Sequence, residues 1–376
     1  MWELCSRTVK LCAKTVYPQY FLMIPTNIRI KDIAKMAGVS EGTVDRVLHN
    51  RGNVSAKALT KVNNVLKKIH YKPNLIARSL RRSKNFRVSV VIPEPNLDPY
   101  WAEVNAGIIQ AKGEWGHYGV AIEPFFYAHD GKFSLELIAN QALKSKPDGM
   151  VIAPIFYPQA LHVFSQLQKK GIPYVLFNTN IPESKPLSFI GQDLFQSGKL
   201  AGQLMSIGHE VAEEIVILHI GEDVKDSVYL MEKEKGFKEF YEKNIHHPFK
   251  ITSLNLDSGE KSFRTKIESL IMRETFTGIF VTTSKAVSTI ARILKDHPSI
   301  SIRLIGYDML EENLKHLKDG LISFLINQNP KRQVFQGISH MANHLLFKKE
   351  IPRTELFPLE VITQQNVDSY IASGIH

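Results

Sequence analysis

Two periodicities divide the chain. From residue 30 to residue 69 apolar side chains recur every three or four positions, and from residue 86 onward short apolar runs alternate with longer amphipathic stretches. In the first part Ile30, Ile33, Ala34 and Ala37 form one stripe, which predicts a short helix. Gly38-Val39-Ser40 interrupts it, with Gly38 suited to a left-handed turn and Ser40 to a helix N-cap. A second short helix follows, with Val44, Val47 and Leu48 on its inner face. Past 50–53, Ser55 caps a third helix whose apolar stripe is Leu59, Val62, Val65, Leu66 and Ile69. Two short helices joined by a glycine turn and braced by a third describe a helix-turn-helix, although the spacing alone fits any small three-helix unit.

The second part predicts strands at 87–92, 120–126, 149–153, 174–177, 215–220, 278–281, 304–307, 322–326 and 359–363. Helices are expected between them, for example at 100–115, 134–144, 158–169, 196–208 and 228–244. This alternation argues for doubly wound parallel sheets covered on both faces. So many strands exceed one small sheet, so two lobes are expected. The fold class is therefore α/β: an N-terminal all-α helix-turn-helix unit followed by a two-lobed domain. Tyr71-Lys72-Pro73 ends the third helix, because proline biases its predecessor away from helical geometry. Asn74 can cap a segment over 75–82, which is too short to be helical alone in water. Residues 1–24 carry neither pattern, and no apolar core with a small-residue cleavage site marks a signal peptide. The expectation is that translation naturally starts at Met23, with 1–27 an extension outside the fold, 28–73 the helical unit, 74–85 a linker and 86–376 the two-lobed domain.

Composition is that of an ordinary globular protein, 44% hydrophobic and 22% charged, and apolar runs such as 20–24 and 88–92 are far short of the ~20 residues of a membrane helix. Charge changes the picture. The first 84 residues hold 17 Lys and Arg against 4 Asp and Glu, leaving 30 basic and 33 acidic residues for the rest. The basic excess sits in the helical unit and its linker, which points to a polyanion such as double-stranded DNA. The only cysteines, Cys5 and Cys12, form no metal-ligand pattern. No cofactor and no metal are expected, and a reducing cytoplasm suits the cysteine usage.

The stretch 30–80 resembles the DNA-binding headpiece of the LacI/GalR family of bacterial repressors. The resemblance is carried by Asp32-Ile33-Ala34, Ala37-Gly38-Val39-Ser40, Thr43-Val44, Arg46-Val47-Leu48, Val54-Ser55, Tyr71-x-Pro73-Asn74 and Ala77-Arg78-x-Leu80. It implies that the second helix enters the major groove with its first residues against base edges. Lys31, Ser40, Glu41, Thr43, Arg46, Arg51 and Ser55 are then the expected DNA contacts, Arg46 reaching a guanine or a phosphate. Asn74, Ala77, Arg78 and Leu80 would belong to a hinge helix, with Leu80 wedged into the minor groove. Gly42 and Asp45 depart from the family pattern, so the operator cannot be copied from relatives.

Residues 86–376 resemble the type I periplasmic sugar-binding fold, in its ribose-binding branch, which that family uses as its sensor. The marks are Pro99-Tyr100-Trp101, Lys146-Pro147-Asp148-Gly149, Gly171-Ile172-Pro173-Tyr174-Val175, Gly191-x-Asp193 and Gly306-Tyr307-Asp308. By this resemblance the chain crosses between lobes near 191–193, 325–328 and 350–357, so that lobe 1 is about 86–191 and 327–350 and lobe 2 about 192–326 and 356–376. Ligands of open parallel sheets sit at the carboxyl ends of strands. The residues expected there are Tyr100, Trp101, Phe156, Asn178, Asp193, Thr283, Asp308 and Gln328, aromatic faces and hydroxyl-binding amides and carboxylates. The family's arginine ahead of Gly236-Phe237 is not evident, Met231, Lys233 and Lys235 occupying that region, and Asn178-Thr179 replaces a common Asp-Arg. These departures argue against a simple pentose and leave a modified sugar, a sugar acid or a cyclitol open.

The reading that results is a homodimeric, ligand-responsive DNA-binding regulator, most simply a repressor, with a sugar or sugar derivative as effector and a pseudo-palindromic operator. The end of the chain, 366–376, has no leucine heptads for tetramerisation. An uptake protein that binds solute without a DNA role explains 86–376 equally but leaves the basic helices unused. A sequence-tolerant DNA binder explains the helices but not the cleft residues. Enzyme signatures such as GxGxxG, GxxxxGK[ST] and HExxH are missing from the sequence.

Overall fold

The computed structural model describes residues 29–48, 52, 54–69, 85–128, 134–208, 213–221, 227–273 and 276–374. The chain divides into two compact units, 1–75 and 76–376. The extension 1–27 and the hinge segment 74–84 lie outside the described residues.

The first unit consists of α1 (Ile30–Ala37), α2 (Glu41–Leu48) and α3 (Ala56–Lys68). The Arg29 N–H donates to the Asp32 carboxylate at 2.9 Å and so closes the start of α1. Gly38 ends it at φ 61°, the left-handed conformation that a side chain disfavours. Ile33, Ala34, Ala37, Val44 and Val62 are buried, and Val47, Leu48, Val65, Leu66 and Ile69 pack against them. Leu59 corrects the expected stripe. It is 42% exposed, and its neighbour Ala58 is the half-buried residue of that turn.

The second unit is built on two six-stranded sheets. The strands are β1 (Phe86–Pro93), β2 (Val120–Tyr127), β3 (Gly149–Ile152), β4 (Tyr174–Phe177), β5 (Ser188–Gly191), β6 (Glu213–Ile220), β7 (Phe249–Leu256), β8 (Phe276–Val281), β9 (Arg303–Tyr307), β10 (Phe324–Asn327), β11 (Thr354–Leu356) and β12 (Glu360–Ile362). The first sheet runs β11-β5-β4-β3-β1-β2 and the second β12-β10-β9-β8-β6-β7. Central strands read as continuous apolar runs because both faces are covered: every residue of β1 except Arg87 is buried. Around the first sheet lie α4 (Pro99–Gly116), α5 (Ser134–Lys144), α6 (Tyr157–Lys169) and α12 (Pro330–Phe347). The second sheet carries α7 (Leu194–Ser206), α8 (Val228–Asn244), α9 (Phe263–Ile271), α10 (Val287–Lys295), α11 (Glu311–Lys318) and α13 (Val367–Ser373).

Three strands, β5, β7 and β11, were not expected from the pattern, and each has a physical reason. β5 holds only two apolar residues in a row, Phe189 and Ile190, and β11 only one, Leu356. β7 is an outer strand with polar residues along it and no apolar run. The sheets are also not wholly parallel, since β12 pairs antiparallel with β10. β11 belongs to the first sheet, so the third crossing falls at 357–359, later than the expected 350–357, and lobe 1 reaches Leu356. β10 belongs to the second sheet, so the middle crossing falls at 328–329. Among the described residues no helix is long and apolar enough to cross a membrane, and no group of three or more His, Cys, Asp or Glu is placed to hold a metal.

Candidate functional site

The helical unit presents α2 with one face locked and one face open. Val44 is fully buried, whereas Glu41, Gly42 and Arg46 are exposed and Thr43 is half-buried. Ser40 Oγ accepts from the Thr43 N–H at 3.2 Å and lies 2.9 Å from Thr43 Oγ1, so the two hydroxyls brace the start of the helix. Ser55 does the same for α3, accepting from the Ala58 N–H at 3.4 Å. Each hydroxyl keeps an O–H or lone pair for phosphate. Lys31 is exposed as well. Arg51, Asn74, Ala77, Arg78 and Leu80 lie outside the described residues.

In the second unit a cleft opens at the carboxyl ends of the strands, between the lobes. It is lined by five of the expected residues: Tyr100, Trp101, Asn178, Thr283 and Gln328. From lobe 1, Asp98 caps α4 by accepting the Tyr100 N–H at 2.9 Å, which fixes the Tyr100-Trp101 pair at the mouth. Their rings meet edge to face at 5.0 Å, and Asn178 Nδ2 donates to the Tyr100 hydroxyl at 2.5 Å. Asn178 follows β4 at φ 68° and Asp308 follows β9 at φ 67°. Both are left-handed, a conformation costly for most side chains and tolerated by Asn and Asp, and it turns the chain sharply where the strands end.

Lys233 forms the opposite wall. It is 1% exposed, yet its Nζ donates to the Thr282 carbonyl at 2.9 Å and to Gln328 Oε1 at 3.2 Å, and stands 3.5 Å over the Tyr307 ring. Two glycines put it there. A Cβ on Gly198 would lie 2.0 Å from the Lys233 carbonyl oxygen, and one on Gly236 would lie 2.0 Å from that of Phe195. Only glycine at both positions lets α7 and α8 cross closely enough to seat this lysine. Behind it, His219 lies 2.8 Å from Glu234 and 2.9 Å from Thr282 Oγ1. The His219 bond, aided by Lys238 and Ser253, holds the Glu234 carboxyl down at about 2.

Gln328 joins the walls. Its backbone N–H and Nε2 donate to the two oxygens of Asp308 at 3.0 and 2.7 Å, while its Oε1 accepts from Lys233. Burial raises the Asp308 carboxyl to about 6 against the Gln328 bonds and the Lys233 charge, which oppose the rise. Burial, then the nearby Asp308 charge, pushes the Tyr100 hydroxyl well above its ordinary value. Across the mouth, Lys285 Nζ of lobe 2 stands 3.5 Å from Asp98 of lobe 1. Thr283 Oγ1 is buried in the cavity wall with no hydrogen-bond partner.

Three expected ligand residues are placed differently. Ile155 lines the cavity in place of Phe156, which turns into the core against Tyr127. Asp193 is exposed and caps α7 through the Gln196 N–H at 3.0 Å, beside a different groove. Asp308 lines an adjoining cleft and reaches the lining of the first through its hydrogen bonds with Gln328. Asp98, Tyr229, Lys233, Ser284 and Lys285 were missed, although they line the cavity. For Asp98 the signal was its place before a helix-opening Pro99, and for Lys233 its spacing ahead of Gly236-Phe237.

A model of the periplasmic binding protein domain matches residues 88–349, and one of the bacterial regulatory proteins of the lacI family matches 29–74. A sucrose operon repressor of Streptococcus mutans is 26% identical over 352 residues, covering 90% of this chain and 99% of that protein. A ribose operon repressor of Halalkalibacterium halodurans is 24% identical over 288 residues, covering 74% of this chain and 80% of the relative. Among solved structures, one described as a LacI transcriptional regulator from Bacteroides fragilis has a TM-score of 0.71 at 27% identity, covering 76% of this chain and 100% of that one.

Proposed function

The chain belongs to the periplasmic binding protein domain family and carries the lacI-family DNA-binding helices, and we propose on that premise how its cleft controls its DNA binding. It is a DNA-binding transcriptional regulator. In this reading two copies work as a dimer in the cytoplasm, and two α2 helices read the halves of a pseudo-palindromic operator. A polyhydroxylated small molecule, a sugar derivative or cyclitol, is the effector. Its binding between the lobes changes the operator affinity, and operator changes effector affinity by the same factor.

The observation that carries this reading is the unpartnered Thr283 Oγ1 in a wall it shares with Tyr100, Asn178, Lys233 and Gln328, among others. A buried hydroxyl without a partner is unusual in a folded protein. A ligand hydroxyl supplies the missing hydrogen bond, while the Tyr100 and Trp101 rings cover the C–H face of a sugar ring. Two lysines, Lys233 and Lys285, and two carboxylates, Asp98 and Asp308, balance charge there and favour a neutral polyol over a sugar acid.

The test is a thermal-shift screen against neutral sugars, sugar acids, cyclitols and nucleosides. A ligand at 100 times its dissociation constant adds ~2.7 kcal/mol of stability. A shift with a polyol that disappears in Asp308→Ala supports the assignment. A shift confined to nucleosides, or one untouched in Asp308→Ala, overturns it.

A further inference from the structure

The chain passes between the lobes at 192–193, 328–329 and 357–359, and one side chain reaches all three passages. Gln192 stands in the first and is 4% exposed. Its Nε2 donates at 2.8 Å to the carbonyl of Asn327, which adjoins the second, and at 2.8 Å to the carbonyl of Pro358, which lies in the third. The backbone repeats the tie, since the Phe357 N–H donates to the Gly191 carbonyl at 2.7 Å. Further amides lash the second and third passages together. Asn327 and Asn329 both donate to the Glu360 carboxylate, at 2.9 and 3.0 Å. Gln333 Nε2 donates to the Gln328 carbonyl at 2.7 Å, and its Oε1 accepts from the Asn178 N–H at 3.0 Å.

We propose that Gln192 is the pivot of the lobe motion. Both of its amide protons are committed to the other two passages, while its Oε1 is buried without a partner. An amide placed only for local packing would exchange that orphaned acceptor for a bond. Here the double donation is kept at the expense of the acceptor. Each passage is two or three residues long and could flex on its own. Held at one point, the three turn together, and the lobes rotate about one axis instead of splaying. The pivot also adjoins the cleft, because Asn327 precedes the Gln328 that holds Asp308 and Lys233. Gln192 is thus a positioning residue. It is not among the residues that line the cleft, and it makes closure a single defined movement that the rest of the molecule can read.

The inference rests on the reading that lobe movement carries the effector signal, but its test needs neither effector nor operator. Spin labels are placed on the full chain at Leu137→Cys in lobe 1 and Met272→Cys in lobe 2, both exposed, with Cys5→Ser and Cys12→Ser removing the native thiols. The inter-lobe distance is read by pulsed dipolar spectroscopy. The wild-type side chain gives one narrow distribution. Gln192→Met, which keeps the shape and loses both donors, broadens it or adds a second population, with circular dichroism unchanged. Gln192→Glu supplies the second arm, useful also should the methionine variant not fold. As a carboxylate it faces two carbonyls and broadens the distribution, and acidification returns one O–H donor and narrows it again. Wild-type protein taken through the same acidification, in which Asp308 also gains its proton, is the reference against which this narrowing is read. Superimposable wild-type and methionine distributions, or a glutamate variant unchanged by pH, overturn the proposal. A failed ligand screen with these results intact would fault the cleft reading and leave the pivot standing.

Discussion

Replacing Thr283 by valine should stabilise the ligand-free protein and weaken its ligand, two effects of opposite sign from one atom. The exchange is nearly isosteric and removes only the Oγ1 that is buried without a partner. Such a hydroxyl costs roughly 1–3 kcal/mol through lost hydration, so its removal should recover about 1 kcal/mol or more. In a domain of this size, 1 kcal/mol moves the melting midpoint by about 2 °C. With ligand bound the ledger reverses. The ligand loses one hydrogen bond and buries a hydroxyl of its own without a partner, a loss of about 1.5–3 kcal/mol, or roughly tenfold to a hundredfold in affinity. The assay is calorimetric unfolding of both proteins, with titration of a ligand that shifts wild-type protein. A valine variant that melts lower than wild type without ligand would show that the hydroxyl has a partner. Equal ligand affinity in the two proteins would show that Oγ1 faces no ligand group. Either result refutes the reasoning.

Three further outcomes are expected. Lys233→Met strips donors from the Thr282 carbonyl and Gln328 Oε1, so the ligand-induced thermal shift should vanish; a full shift in this variant removes Lys233 from the site. Arg46→Ala should lower affinity for a selected operator by roughly tenfold to a hundredfold while hardly changing binding to random DNA, measured at one salt concentration. Equal losses on both would make Arg46 a phosphate contact. Asp308 binds its proton more tightly in the folded chain, at about 6, than in the unfolded one, at ~3.9. Its contribution to stability is therefore complete below the unfolded value and is lost as pH rises through the folded one, by up to ~3 kcal/mol. Asp308→Asn should flatten that decline in chemical denaturation run across this window, and an unchanged slope would assign it to another group.

Much of this was legible in the chain because it is local. The helix-turn-helix needs only a period of three or four, a glycine at 38 and hydroxyls at 40 and 55, and each acts within four residues of itself. The buried central strands announce themselves as apolar runs for the same reason, since both of their faces are covered wherever they sit in the sheet. The outer and very short strands, β5, β7 and β11, carry no such signature, because only their neighbours define them.

The cleft was legible in part. Sequence position placed Tyr100, Trp101, Asn178, Thr283 and Gln328 at strand ends, and all five line the cavity. A one-residue error of register separated Phe156 from Ile155, and Asp193 proved to be a helix cap. Lys233 was visible as a lysine near Gly236 but not as a buried cation, because its place depends on two helices meeting at Gly198 and Gly236. Gln192 was the unremarked middle residue between Gly191 and Asp193. Its partners lie 135 and 166 residues away in the chain. The sequence alone determined which local elements form and which surface is basic, since periodicity, caps and charge act over a few residues. Only the tertiary structure decided which distant groups share one cleft and one pivot, because a hydrogen bond between them exists only after both sheets are built.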